Sequence, residues 1–168
     1  MPEPPENGAE PIVDPDVDLH DPAQRAQAGP AGHAVLAAVA LGGILGAEAR
    51  YGLSRAWVHR PDGFPWSTLL VNLTGCLLIG VLMATLPQLP RPHRLARPFL
   101  GTGMLGGYTT YSTFAVEVQQ LVRQHRPGTA AGYLAATVLG CAVAVWLAAG
   151  LAGRVWQARR SVAPEPAA

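Results

Sequence analysis

Long apolar segments alternate with short polar connections along the chain, and this alternation predicts its architecture. Four segments consist almost entirely of apolar and small residues, at about residues 34–58, 64–86, 99–122 and 128–153. The second and fourth contain no charged residue, and the third contains one acid. A membrane-spanning helix requires about 20 mostly apolar residues. The pattern therefore predicts an all-α membrane protein with four transmembrane helices, in which short connections make successive helices antiparallel neighbours.

The third segment contains a stretch, residues 101–114, that is unlike an ordinary helix interior. Four of its residues are glycine, which is about 1 kcal/mol less favourable than alanine in a helix, and a run of hydroxyl and aromatic side chains follows. A helix break in hydrocarbon leaves carbonyls that protein, water or an ion must satisfy. The stretch therefore fits a helix broken around a polar site. It equally fits a small-residue packing face whose hydroxyls bond to their own helix.

Charge divides the chain into a tail and a body. Seven of the eleven acids lie in the first 21 residues, among several prolines. Residues 1–32 contain too few apolar side chains to repay their ordering entropy, so we expect a disordered, acidic, Pro-rich tail. Residues 33–155 form the predicted membrane domain, and residues 156–168 form a C-terminal tail.

The arginines give little guidance on orientation. Seven fall on the side of the predicted bundle that holds both termini, and five fall on the other side. Orientation follows such a bias, and this one is too weak to fix it. Insertion in both directions would permit an antiparallel, dual-topology homodimer in membrane lipid.

Several polar residues lie within the apolar segments. Asn72 either bonds across helices or faces water. Arg50 either extends to the membrane surface or draws anions into a vestibule, and Glu117 fits a proton or cation site or a structural partner. Tyr133 and Thr137 form one helical stripe with Cys141, which would line a path or a packing seam.

The remaining residues argue against catalysis. The five histidines lie in tails, connections or helix ends, so none can activate Ser112 at membrane depth. Cys76 and Cys141 have no partner at metal-ligand spacing, and we interpret both as small buried hydrophobic residues. The sequence predicts neither an enzyme nor a nucleic-acid partner.

Three motifs resemble the small four-span fluoride channels of the Fluc family, also called CrcB. They are residues 42–51, 66–75 and 103–114. The third is the most specific, because a string such as Gly-Gly-Tyr-Thr-Thr-Tyr-Ser-Thr-Phe is rarely met by chance. All three occur in the family's order and spacing, and the resemblance covers about residues 33–155.

The resemblance implies a bacterial cell-membrane channel that exports cytoplasmic fluoride passively. Members of the Fluc family are antiparallel homodimers with two pores, a third helix broken near the membrane centre, and a central structural Na⁺. The sodium ligands would be the backbone carbonyls of Gly106 and Thr109. The pore positions would be Arg50, Thr68, Asn72, Tyr111, Ser112, Thr113, Phe114 and Glu117, to which the helical stripe adds Tyr133 and Thr137.

Two residues depart from the family pattern. Tyr111 occupies a position that is usually Phe, and Cys141 stands where a small hydroxyl residue is expected.

The main alternative to a fluoride channel is a small multidrug-type proton-coupled exchanger, which usually has a glutamate in the first span. Here Glu48 comes late in that span and is followed by Arg50, and an exchanger has no need of the glycine-rich break. A second rival is a non-transporting membrane subunit.

Overall fold

The computed structural model describes residues 30–57 and 63–162. This part of the chain is all-helical and contains no strand. The helices are α1 (Pro30–Ala56), α2 (Trp66–Thr85), a 3₁₀ turn (Leu86–Gln88), a π-helix (Arg97–Leu105), α3 (Gly106–Tyr108), α4 (Ser112–Arg123) and α5 (Pro127–Val162). Most of the predicted disordered tail, residues 1–29, lies outside the described residues.

Within the described ranges, three helices are long and apolar enough to cross a membrane. They span Gly32–Ala56, Trp66–Gln88 and Pro127–Arg160. The predicted all-α fold class with apolar membrane helices is therefore confirmed. The predicted third span corresponds to the π-helix, α3 and α4 together. That these pieces form a fourth, broken crossing stays a prediction.

Helix α5 is much longer than a bilayer requires. Its 36 residues correspond to about 54 Å, against about 30 Å of hydrocarbon. The helix continues to Val162 and so includes half of the predicted C-terminal tail. Near its end, the Arg160 guanidinium donates a hydrogen bond of 2.7 Å to Gln88 Oε1. The Arg160 contact links the end of α5 to the turn that follows α2.

The helical path of the third segment is interrupted at residues 109–111, which we call the interruption. Helix α3 ends at Tyr108, and Thr109 has an extended backbone with φ −79° and ψ 161°. Helix α4 begins at Ser112. Preceding the interruption, the π-helix already departs from regular α-helical hydrogen bonding, and it contains buried Gly101 and Gly103.

Close glycine contacts give the relative direction of α1 and the third segment. Gly42 lies against the backbone of Gly103, and Gly46 lies further along, against Met104 and Tyr108. The residue numbers increase together, so the two segments run in the same direction. Because these contacts involve backbone atoms, the axes approach as closely as small residues permit.

Helix α2 runs in the opposite direction to the third segment and in the same direction as α5. Successive α2 residues contact earlier parts of the third segment: Thr68 contacts Glu117, Asn72 contacts Thr110 and Gly75 contacts Thr109. Against α5 the order is reversed. Leu73 lies against Gly140, and Gly80 lies against Val145 and Ala148.

Gly46→Val is expected to destabilise the fold strongly. A Cβ at Gly46 would collide with the carbonyl oxygen of Met104 and lie 2.8 Å from the Tyr108 nitrogen. Backbone atoms cannot swing aside, so the helices must separate, at a cost of about 1–3 kcal/mol or more. Thermal unfolding of the purified protein measures the loss. Gly52→Val is the matched control, since a Cβ there meets nothing within 4 Å. Equal melting temperatures would contradict this packing.

Candidate functional site

A cavity of about 300 Å³ lies between α2, α5 and the interruption, and we call it the polar cavity. Its lining residues are Asn72, Cys76, Thr109, Thr110, Tyr111, Phe114, Thr137, Val138 and Cys141. Two larger cavities in the described part of the chain measure about 480 and 330 Å³. Their linings are apolar apart from His93 in one and Thr85 in the other. Of these three cavities, the polar cavity has the most polar side chains in its lining.

Asn72 binds the backbone of the interruption in both directions. Its Nδ2 donates to the Thr110 carbonyl at 3.0 Å, and its Oδ1 accepts from the Thr110 N–H at 2.9 Å. These bonds satisfy two backbone groups that lose their helical partners where α3 ends. A side-chain amide carries two N–H donors. Asn72 therefore keeps a second donor at the wall of the polar cavity.

The hydroxyl groups at the start of α4 form a local network. The Thr110 hydroxyl accepts from the Thr113 N–H at 3.2 Å and donates to Thr113 Oγ1 at 3.1 Å. The hydroxyls of Thr110 and Ser112 are 3.4 Å apart. Ser112 and Thr113 are exposed on this single chain. Like Thr68, which was also predicted as a pore residue, these two do not line the polar cavity.

Two carbonyls before the helix resumes lose their usual donors. An unbroken helix would direct the Thr110 N–H to the Gly106 carbonyl and the Thr113 N–H to the Thr109 carbonyl. These amides donate instead to Asn72 Oδ1 and to the Thr110 hydroxyl. The carbonyls of Gly106 and Thr109 are thereby left for other donors or for a cation.

Arg50 supports the same region from α1. Its Nε donates a 3.1 Å hydrogen bond to the Gly107 carbonyl. On the other side, the Thr74 hydroxyl lies 2.9 Å from the Tyr108 hydroxyl. Residues on α1 and α2 thus hold the end of α3 from two directions. Arg50 acts here as a structural donor, whereas sequence reasoning treated it as a surface or vestibule residue.

The two residues of the predicted aromatic pair differ in exposure. Tyr111 is 80% exposed, whereas Phe114 is 8% exposed. Their ring centroids are 6.0 Å apart, and the Phe114 ring also packs 5.3 Å from the ring of Tyr133. Aromatic rings carry positive edges and negative faces. Phe114 thus lines the polar cavity while its ring joins the hydrophobic core.

Glu117 lies in a second polar cluster beside that core. The Thr68 hydroxyl donates to its Oε1 at 2.8 Å, and the Tyr133 hydroxyl donates to its Oε2 at 2.7 Å. Glu117 is 9% exposed, and Tyr133 is fully buried. A carboxylate accepts hydrogen bonds only, so two hydroxyl donors suit it. Three predicted site residues from three different helices therefore meet at one point.

Thr137 presents a buried hydroxyl to the polar cavity. The side chain is 6% exposed, and its Oγ1 has no hydrogen-bond partner. The hydroxyl lies near the Tyr133 phenol without forming a hydrogen bond of good geometry. An unsatisfied buried hydroxyl is unfavourable by about 1–3 kcal/mol. Its presence here suits a site where a bound ligand accepts the missing hydrogen bond.

Sequence reasoning missed the pairing between α2 and α5. Thr68, Asn72 and Cys76 recur every four residues on α2, as do Tyr133, Thr137 and Cys141 on α5. The separation along the chain is the same for each successive pair. In two helices that run in the same direction, equal spacing keeps successive pairs at the same level where the stripes face one another, as they do around the polar cavity. This constant separation along the chain was the sequence signal from which the pairing of α2 and α5 could have been predicted.

A comparison with protein-family models identifies one match. The model for CrcB-like protein, described as camphor resistance (CrcB), matches residues 37–149. This range includes the polar cavity, the interruption and the Glu117 cluster.

Three curated relatives are similar over most of the chain. The fluoride-specific ion channel FluC 1 of Streptomyces coelicolor is 51% identical over 127 residues, which is 76% of this chain and 82% of the relative. FluC 2 of Thermobifida fusca is 52% identical over 116 residues, 69% of this chain and 86% of the relative. FluC of Anaeromyxobacter sp. strain K is 50% identical over 113 residues, 66% of this chain and 88% of the relative.

Proposed function

The chain belongs to the CrcB-like family of multi-pass membrane proteins, and on this premise we propose that it is a fluoride-selective channel. It exports cytoplasmic fluoride passively across a bacterial cell membrane, through two pores of an antiparallel homodimer. The proposal assigns transport and no catalysis. Relatives named as fluoride-specific channels do not favour the proton-coupled exchanger considered from the sequence.

The observation that carries the proposal is the donor content of the polar cavity. Asn72 offers its second N–H, and Thr137 offers a buried hydroxyl without a partner. Phe114 lines the same space, and the edge of an aromatic ring is the positive part of its quadrupole. Fluoride is small and strongly hydrated, so a selective path must replace its water with hydrogen-bond donors. The cavity supplies such donors and lacks an acidic side chain in its lining.

The helix directions support four crossings. Helices α2 and α5 run in the same direction, so the chain between them must return across the membrane. The π-helix, α3 and α4 are the only described segment available for that return, and their contacts with α2 run in the opposite direction. The broken third span supplies the return crossing.

The exposed side of the interruption supports a second copy of the chain. Tyr111, Ser112 and Thr113 are exposed here, as is Gly106. Polar backbone and hydroxyl groups at membrane depth must be covered by protein, water or an ion. A copy inserted in the opposite direction covers them, as the weak arginine bias permits.

The residues present fit a structural Na⁺. The carbonyls of Gly106 and Thr109 lose their helical donors, and a Cβ at Gly106 would contact the Gly101 carbonyl oxygen at 3.9 Å without collision. Carbonyl oxygens suit a hard cation. Bound sodium would supply the positive charge that these carbonyls face. Arg50 and Asn72 would hold the surrounding backbone.

Removing sodium is therefore expected to destabilise the protein. A ligand at 100 times its Kd adds about 2.7 kcal/mol, which corresponds to roughly 5–10 °C in melting temperature. Thermal unfolding in sodium is compared with unfolding in N-methyl-D-glucamine at equal ionic strength. Identical melting temperatures would exclude a structural sodium site.

Thr137→Val is expected to slow fluoride flux without reducing stability. Valine keeps the shape of threonine and removes a hydroxyl that has no protein partner. Losing one donor to the ion should slow flux by about tenfold, the equivalent of 1.4 kcal/mol. Thr85→Val is the matched control, because that hydroxyl bonds only to its own helix. Unchanged flux in the Thr137 variant would remove this residue from the path.

The function is tested by efflux from liposomes that contain the purified protein. Vesicles are loaded with potassium fluoride or potassium chloride, and valinomycin dissipates the charge. Fluoride release without chloride release, lost in Asn72→Ala and Phe114→Ala variants that still assemble, supports the channel. No fluoride release from well-folded dimers would overturn it.

A further inference from the structure

The two thiols of the chain lie together in the wall of the polar cavity. Cys76 on α2 and Cys141 on α5 both line it, and the Cys141 thiol lies close enough to interact with that of Cys76. Both are free cysteines and half-buried. Although they are far apart in sequence, they are the last members of the two facing stripes. They are also the only cysteines in the chain.

The surroundings suit a ligand that prefers sulfur. The neighbouring lining residues are Asn72, Thr137 and Val138, and no carboxylate or histidine lines the cavity. A hard cation such as Mg²⁺ would therefore find few oxygen ligands of negative charge. Soft ions such as Cu⁺ select thiolate ligands. Two thiols on opposite sides of one space provide the ligands for a two-coordinate ion.

We propose that Cys76 and Cys141 together bind one soft monovalent metal ion, of the Cu⁺ and Ag⁺ class, in the wall of the polar cavity. On binding, each thiol gives its proton to water and its sulfur coordinates the ion. Two thiolates and one monovalent cation carry a net charge of −1. No electron transfer is involved.

Binding has a consequence for the transported ion. A fixed negative charge in a cavity of low dielectric repels an approaching anion far more strongly than in water. Silver or copper(I) binding would therefore inhibit fluoride passage. This consequence rests on the proposed function, whereas the metal site itself does not.

Silver binding tests the site directly. The reduced full-length protein is titrated with silver fluoride in chloride-free buffer, and bound silver is measured by equilibrium dialysis and by thiolate-to-silver absorbance. We expect one tightly bound ion per chain. Cys76→Ser and Cys141→Ser should each weaken binding by more than about tenfold, and the double variant should show no thiolate absorbance.

Two results would overturn the site: two silver ions per wild-type chain, one on each sulfur, or equally tight binding by a single-cysteine variant. The first of these results is measured on the wild-type protein alone. Alanine replaces serine at either position if a serine variant fails to fold, as judged by gel filtration.

Fluoride efflux provides a separate readout. Silver should slow efflux by more than about tenfold in the wild type, a dithiol chelator should restore it, and the cysteine-free variant should be insensitive. Silver binding without inhibition would retain the site and overturn only its effect on transport. If the protein releases no fluoride at all, the proposed function fails while the titration still decides the site.

Discussion

Asn72→Ala is expected to reduce fluoride efflux by more than about 100-fold. The change removes a donor from the polar cavity and strands the N–H and carbonyl of Thr110, which Asn72 binds at 2.9 and 3.0 Å. A buried group left unsatisfied costs about 1–3 kcal/mol, and each 1.4 kcal/mol corresponds to a factor of ten. Efflux from liposomes containing equal amounts of dimer measures the loss.

Two further variants separate the roles of Asn72. Asn72→Asp keeps an acceptor for the Thr110 N–H but loses the donors and adds negative charge, so it should be as inactive as alanine. Thr85→Ala, on the same helix, removes a hydroxyl bonded only to its own helix and should conduct normally. Wild-type efflux in Asn72→Asp would contradict a donor role for Asn72.

Glu117→Leu is expected to cause the largest loss of stability. The carboxylate accepts from the hydroxyls of Thr68 and Tyr133 at 2.8 and 2.7 Å. Leucine strands both hydroxyls in the core, at about 1–3 kcal/mol each. Glu117→Gln keeps an acceptor and a similar shape, and should retain most stability. Thermal unfolding and the yield of folded dimer measure the difference.

A combined variant decides whether the hydroxyls account for that loss. Replacing all partners of a hydrogen bond with apolar groups is nearly neutral compared with removing one. Adding Thr68→Val and Tyr133→Phe to Glu117→Leu should therefore recover part of the lost stability, a non-additive effect. A triple variant no more stable than Glu117→Leu would contradict the cluster as the cause.

The alternation of apolar segments and polar connections predicted the helical architecture. The apolar segments indicated the membrane helices, and the glycine- and hydroxyl-rich residues 101–114 indicated the region where the helical path is interrupted. The ends of the helices were harder to predict from the sequence. Helix α5 extends to Val162 because alanine, arginine and glutamine favour helix beyond the apolar run. The apolar pattern by itself carries no information on where such an extension stops.

The hydrogen-bond partners of the site residues were harder to predict than the helices. Asn72, Glu117 and Arg50 were each identified as candidates, but their bonds to Thr110, Tyr133 and Gly107 depend on how distant segments pack. The sequence does not give helix directions residue by residue. Cys76 and Cys141 were interpreted separately for the same reason, although their stripes share one spacing.

The reversal potential in a planar bilayer is the most direct test of fluoride-selective conduction. With the purified protein between unequal fluoride solutions, a selective channel should reverse at about 59 mV per tenfold fluoride gradient, as for any single-charge carrier. Adding a chloride gradient or a pH gradient should leave this potential unchanged. A reversal potential that follows chloride, or one that moves with pH as proton coupling requires, would contradict fluoride-selective conduction.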